Sequence, residues 1–101
     1  MHKILVLYPQ GQDDKKFRAH YENVHVPLCR KLPGLIACRY SFAVEGMRGA
    51  EAPYYCVFEA DFPDAATMVK ALQSPEGAAV GADGPNYATI PPVIMHYEVK
   101  A

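Results

Sequence analysis

The stretch LIACRYSFAV, residues 35–44, alternates without a break: Ile36, Cys38, Tyr40, Phe42 and Val44 on one side, Leu35, Ala37, Arg39, Ser41 and Ala43 on the other. A period of two belongs to a strand, and the more apolar first set marks the side that packs on a core. A second such run follows at residues 54–62, YYCVFEADF, with Tyr54, Cys56, Phe58, Ala60 and Phe62 set against Tyr55, Val57, Glu59 and Asp61. Between them, Glu45 to Pro53 holds two glycines, a proline and three charged residues, the composition of an exposed hairpin loop.

Toward the N-terminus, Lys3 to Tyr8 is a nearly continuous apolar run closed by Pro9 and Gly11, which suits a central strand covered on both faces. Asp13 or Asp14 then offers a cap for a helix, because a short side-chain oxygen can satisfy the free amides of the first turn. Phe17, Tyr21, Val24, Leu28 and Leu32 recur at steps of three and four, the stripe of one buried helical face. Pro27 lies within this stripe. It removes an amide donor and disfavours helical geometry at Val26, so the spacing predicts a kink or break just after His25. Pro33-Gly34 ends the element.

Toward the C-terminus, Pro63-Asp64 opens a second helix with Asp64 as cap and Ala65, Met68, Val69 and Leu72 on its buried side. Ser74-Pro75-Glu76-Gly77 stops or restarts it, since proline suits a first helical position. Ala78 to Ala88 reads as a short helix ending in a loop, and Pro91-Pro92 leads into a last strand over Val93 to Lys100. The order β-α-β-β-α-β predicts a ferredoxin-like α+β domain over residues 1–101, a four-stranded antiparallel sheet with both helices on one face. The other face still carries apolar residues. A second copy of the sheet is the simplest cover, so a homodimer is expected.

Composition narrows the function. With 101 residues there is room for one domain, and half of them are apolar, including seven Tyr and four Phe, which is too hydrophobic for a disordered chain. The net charge is −1 and Lys and Arg are scattered, apart from Lys15-Lys16-Phe17-Arg18, so no footprint for nucleic acid is present. No run approaches the roughly 20 apolar residues of a membrane span. Three cysteines, Cys29, Cys38 and Cys56, have neither disulfide-framework parity nor zinc-like spacing and read as reduced thiols of a cytoplasmic protein. Neither a Gly-rich nucleotide loop after the first strand nor a G-x-S-x-G elbow occurs, so no nucleotide cofactor or serine hydrolase is indicated.

The densest polar cluster is HYENVHVPL, residues 20–28. Tyr21 and His25 are four apart and share a helical face. Two roles are open for His25: an acid–base or ligand-orienting pair with Tyr21, or a cap on the Asn23 carbonyl that Pro27 leaves free. His20 and His25 are five apart, which on a regular helix places them on different faces and excludes a zinc pair of the H-E-x-x-H kind. Asp83 and Tyr87 either reach toward a pocket or serve as a helix cap and a core ring. Glu59 is the candidate buried carboxylate, with Arg39 as its neighbour. His96, in the last strand, is a further candidate.

These residues together resemble the EthD family, named for ethyl tert-butyl ether degradation. Phe17-x-x-His20-Tyr21-x-x-x-His25-x-Pro27-Leu28 is similar to that family's F-x-x-Y-Y-x-x-x-H-x-P-L, and Lys31 to Leu35 to its K-L-P-G-L turn. Tyr54-Tyr55, Ser74 to Gly77, Asp83 and Asn86 to Thr89 extend the likeness over nearly the whole chain. His20 departs from it, standing where the family more often has an aromatic. The resemblance implies a dimeric α/β barrel with His25 and Tyr21 lining a pocket. The expected function is cofactor-independent acid–base chemistry or oxidation on a small apolar oxygenated or aromatic compound in a catabolic pathway, without metal. The alternatives are a non-catalytic binding protein and a haem binder. In this scheme Glu59, Arg39, Asp83, Tyr87 and His96 contact the ligand.

Overall fold

The computed structural model describes residues 1–101. Four strands, β1 (His2–Tyr8), β2 (Ala37–Ser41), β3 (Cys56–Phe62) and β4 (Val93–Glu98), form one antiparallel sheet in the order β2-β3-β1-β4. The expected architecture is present. The apolar run of β1 is indeed central: Ile4 lies between Ala60 and His96, and Val6 between Phe58 and Ile94. Because the pleat alternates, Ile4, Val6, Tyr8, Cys56, Phe58, Ala60 and Phe62 all face the helices and are buried there. β2 is shorter than its alternating sequence. Tyr55 lies before β3, yet its amide still bonds to the Tyr8 carbonyl at 2.8 Å.

The first helix is where the sequence reading needs correction. Asp13 caps it, accepting from the Lys16 amide. The chain then runs as α1 (Asp14–His20), a π-helical turn (Tyr21–His25) and α2 (Val26–Cys29). Nothing breaks at Pro27, and Val26 keeps helical angles (φ −61°, ψ −43°). The chain widens instead, with the Val26 amide bonding to the Tyr21 carbonyl five residues back. A π turn inserts one residue, so the buried set steps forward past it. Val24 is exposed and Leu28 only half-buried, while His25, Val26 and Cys29 turn inward. Phe17, Tyr21 and Leu32 are buried as the stripe predicts.

α3 (Ala65–Gln73) is capped by Asp64, which accepts from the Thr67 amide at 2.8 Å. Its buried side is Met68 and Ala71, with Val69 and Leu72 left exposed, one step away from the expected set. Ser74 ends α3 and starts α4 (Pro75–Asp83), its hydroxyl accepting from the Gly77 amide at 3.1 Å. Gly77 is required at this junction: a Cβ there would meet the Ala71 and Leu72 carbonyl oxygens at 2.4 Å. A 3-10 turn, Gly84–Asn86, then delivers Tyr87.

The sheet face away from the helices has two halves. Leu5, Leu7, Val57, Val93 and Met95 make an apolar one by strand alternation, and Val93, Met95 and Tyr97 are 41–45% exposed. The other half carries Lys3, Arg39, Glu59 and Asp61. Arg39 sits opposite Glu59 as expected, but Glu59 is not the buried carboxylate. That residue is Asp61, 5% exposed, whose Oδ2 accepts from Arg39 at 2.6 Å. Its Oδ1 lies 3.6 Å from Lys3 Nζ, within ion-pair range but beyond a hydrogen bond. The hydrogen bond from Arg39, and then its charge, hold Asp61 below the usual carboxylate range despite burial. β4 is exposed along its whole length.

Candidate active site

Between the sheet and the helices, six polar side chains join into one hydrogen-bonded network. Tyr8 reaches it from the end of β1, and its hydroxyl is 2.7 Å from that of Tyr87. The Tyr87 hydroxyl is 3.1 Å from His25 Nε2. His25 Nδ1 lies 2.9 Å from Asp83 Oδ2, and His20 Nε2 lies 2.7 Å from Asp83 Oδ1. Asn86 Nδ2 donates to the same Oδ1 at 3.0 Å. Tyr8, Tyr87, His25 and Asp83 are all buried, whereas the His20 side chain is 27% exposed.

The electrostatics give the string a direction. Burial works to raise the Asp83 carboxyl, but hydrogen bonds from Asn86, His20 and His25 outweigh it and the group sits low. Asp83 is therefore an acceptor only, and both histidines donate to it. Burial lowers His25 against the pull of Asp83, which leaves a neutral ring protonated at Nδ1 and bare at Nε2. Nε2 then accepts from Tyr87, and Tyr87 accepts from Tyr8. Burial pushes Tyr8 up to about 12 and raises Tyr87 and Tyr21 as well, so all three phenols stay protonated at neutral pH. Each link can pass one proton toward His25.

Tyr21 belongs to the site without joining the string. Its ring stacks on His25, centroids 5.3 Å apart and 24° between planes. Its hydroxyl is buried and has no hydrogen-bond partner. Tyr8, Tyr40, Phe42 and Tyr87 meet it edge-on.

The sequence candidates thus divide. His25, Tyr21, Asp83 and Tyr87 converge, and His25 does not cap the Asn23 carbonyl, since both its nitrogens are engaged elsewhere. Asp83 makes no side-chain cap either. Glu59 and Arg39 lie on the opposite face of the sheet. His96 is exposed on β4, 2.8 Å from His2 across the strand pair. The expected apolar pocket beside His25 is filled by the rings of Tyr8, Tyr21 and Tyr87. Two surface grooves lie elsewhere, at Met1, His2, Pro63 and Glu98, and at Leu28, Lys31, Pro75 and Ala79.

Three members escaped the sequence reading. Tyr8 was in plain phase with Ile4 and Val6. Asn86 enters only through the family likeness, which gives it no role. On a regular helix the five-residue spacing puts His20 and His25 on different faces, but the π turn closes at that spacing and brings both rings to one carboxylate.

The pH dependence of stability follows. His25 is depressed in the folded state relative to about 6.5 unfolded, so its contribution is complete above that pH and is lost as pH falls through its lower folded value. Asp83 and Asp61, depressed from 3.8, add a second loss at stronger acid. Thermal melts from pH 8 to 3 are expected to show a melting temperature that begins to fall near pH 6.5 and falls again near pH 4. A flat profile between pH 7 and 5 would contradict the burial of a neutral His25.

An antiparallel four-stranded sheet covered on one face by helices, with a buried Asp–His–Tyr string between the layers, defines a ferredoxin-like α+β domain with a polar centre. The chain belongs to the EthD family: the EthD domain model matches residues 9–91. It is similar to an EthD family protein of Bacillus halodurans C-125, with TM-score 0.89 and 32% identity over 99% of both chains. It is 28% identical, over 88% of its length and 85% of the relative's, to an uncharacterized 11.0 kDa protein from the thcB-thcC intergenic region of Rhodococcus erythropolis. A dimeric ferredoxin-like protein of unknown function from Thermobifida fusca shares the fold, with TM-score 0.63 and 17% identity over 97% of this chain and 90% of the other. No helix is long and apolar enough to cross a membrane.

Proposed function

We propose that the protein is a cofactor-independent acid–base enzyme, acting as a homodimer on a small, apolar, oxygenated or aromatic compound in a degradative pathway. The observation that carries this is the buried string Tyr8–Tyr87–His25–Asp83. Phenylalanine and leucine would fill the same space with no polar atom to satisfy, whereas each unpaired polar group in such a site costs on the order of 1–3 kcal/mol. What the string adds is a neutral imidazole, oriented by a carboxylate and linked to hydroxyls in donor order, the equipment of a general base. The Tyr21 hydroxyl beside it is buried without a hydrogen-bond partner. His25 is then the base or acid, Tyr21 orients its ring by stacking on it, and the reaction is an isomerisation or dehydration, which proton transfer alone balances. The three free cysteines suit the reducing cytoplasm.

The test is hydrogen–deuterium exchange at the acidic C–H of small aryl ketones and lactones in D2O, read by mass spectrometry. Exchange well above the buffer rate is expected. A second reading, a binding protein without catalysis, is favoured by the full engagement of both His25 nitrogens. Saturable thermal stabilisation by these compounds without exchange would select it, and neither effect would overturn both.

The dimer reading rests on the helix-free face and the bare β4 edge. Covering them with a second copy should bury more than about 1,200 Å², largely apolar in the Val93–Met95 half. The relative described as dimeric has the same fold. Light scattering at micromolar concentration is expected to give twice 11.2 kDa. A stable monomer would overturn this.

A further inference from the structure

We infer that His20 is a positioning residue that sets the proton affinity of His25 through the carboxylate they share. The inference deepens the acid–base reading and rests on it for its catalytic meaning, though not for its test.

The geometry is a single negative charge between two imidazoles. Asp83 Oδ1 takes the Nε2 proton of His20 at 2.7 Å, and Oδ2 takes the Nδ1 proton of His25 at 2.9 Å. One carboxylate can balance one imidazolium. A second positive charge on the same group meets like-charge repulsion in a poorly solvated place. The two rings differ in what ionisation costs them: the side chain of His20 is 27% exposed, that of His25 only 7%. A positive charge is therefore less costly on His20 than on His25. Once His20 is cationic it claims the Asp83 charge, and His25 is held neutral down to lower pH than Asp83 alone would allow. The shared carboxylate couples the charge on one ring to that on the other.

The other groups around His25 do not compete for this role. Tyr8 from β1, Tyr87 after α4 and Tyr21 from its own turn are phenols, neutral over the range in question. From α2, Cys29 is a buried thiol that burial pushes up to about 12. Asn86 is neutral, and its hydrogen bond to Asp83 is independent of pH. His20 also lies face to face with Tyr87, 5.9 Å between centroids and 20° between planes, so its ring is held in place at the rim of the string.

The experiment is an NMR titration of the histidine ring signals in the whole protein, with no ligand. In the wild type, the His25 curve should carry a second inflection at the His20 midpoint. His20→Gln keeps a donor for Asp83 Oδ1 but carries no charge. His20→Phe removes both and keeps the ring over Tyr87. In each variant the His25 midpoint is expected to rise by about one pH unit and its curve to become single. An unchanged His25 midpoint in either folded variant, or independent single titrations in the wild type, would overturn the inference. The wild-type curve decides even where a variant fails to fold. Coupling without any ketone or lactone exchange would retain this inference and remove the enzyme reading. Exchange without coupling would do the opposite.

Discussion

His25→Ala is expected to lower turnover in the exchange assay by roughly 10²–10⁴-fold, the usual contribution of a positioned acid or base. The protein should remain folded. Its stability should also fall, by about 1–3 kcal/mol, because Asp83 Oδ2 loses its donor and the Tyr87 hydroxyl its acceptor in a buried place. Rates must therefore be expressed per folded protomer, measured by circular dichroism at the assay temperature. Were His25 only structural, the melting temperature would fall and ligand-induced stabilisation per folded protomer would persist unchanged. A variant with wild-type turnover would move the acid–base role to another residue.

Phe17→Ala is expected to be the most destabilising single truncation of the core, costing about 3–5 kcal/mol. Phe17 has no exposed surface and meets Tyr8, Tyr21, Phe42, Tyr55 and Tyr87 at centroid distances of 5.0 to 6.0 Å. It is the ring against which the site's tyrosines pack, and the hole it leaves borders three of them. For a domain near 100 residues, the melting temperature should drop by more than about 12 °C, compared at one protomer concentration. A drop of only a few degrees would mean that the surrounding rings collapse into the space. The same truncation is expected to reduce turnover, since Tyr8 and Tyr87 would lose the wall that aligns their hydroxyls.

Much of the site was visible as a list of residues and invisible as an arrangement. Tyr21 and His25 stood out by their spacing, and Asp83 and Tyr87 by their place after a Gly-rich stretch. That Asp83 bridges two histidines depends on α4 ending against the first helix, a contact about sixty residues apart in the chain. Glu59 and Asp61 looked alike, two carboxylates on one side of a strand. Their burial was decided by neighbours on β1 and β2: Arg39 bonds to Asp61 at 2.6 Å, while Lys3 bonds to Glu59 at 2.8 Å and lies within 3.6 Å of Asp61.

Element order, strand polarity and the two-layer form were legible in the chain because they follow from periodicity, caps and turn residues, which act over a few neighbours. Period-two runs at residues 35–44 and 54–62, a stripe from Phe17 to Leu32 and caps at Asp13, Asp64 and Ser74 leave few ways to bury the apolar sides. The phase of the first helix was not local in that sense. A proline in an apolar stripe can break the helix, kink it or widen it by one residue. Here the widened form is the one that turns His25, Val26 and Cys29 toward the core, sets His25 against Asp83 and Tyr87, and gives each ring nitrogen a partner. Packing against the sheet and α4 selects among local forms of similar energy, and the candidate active site comes with that selection.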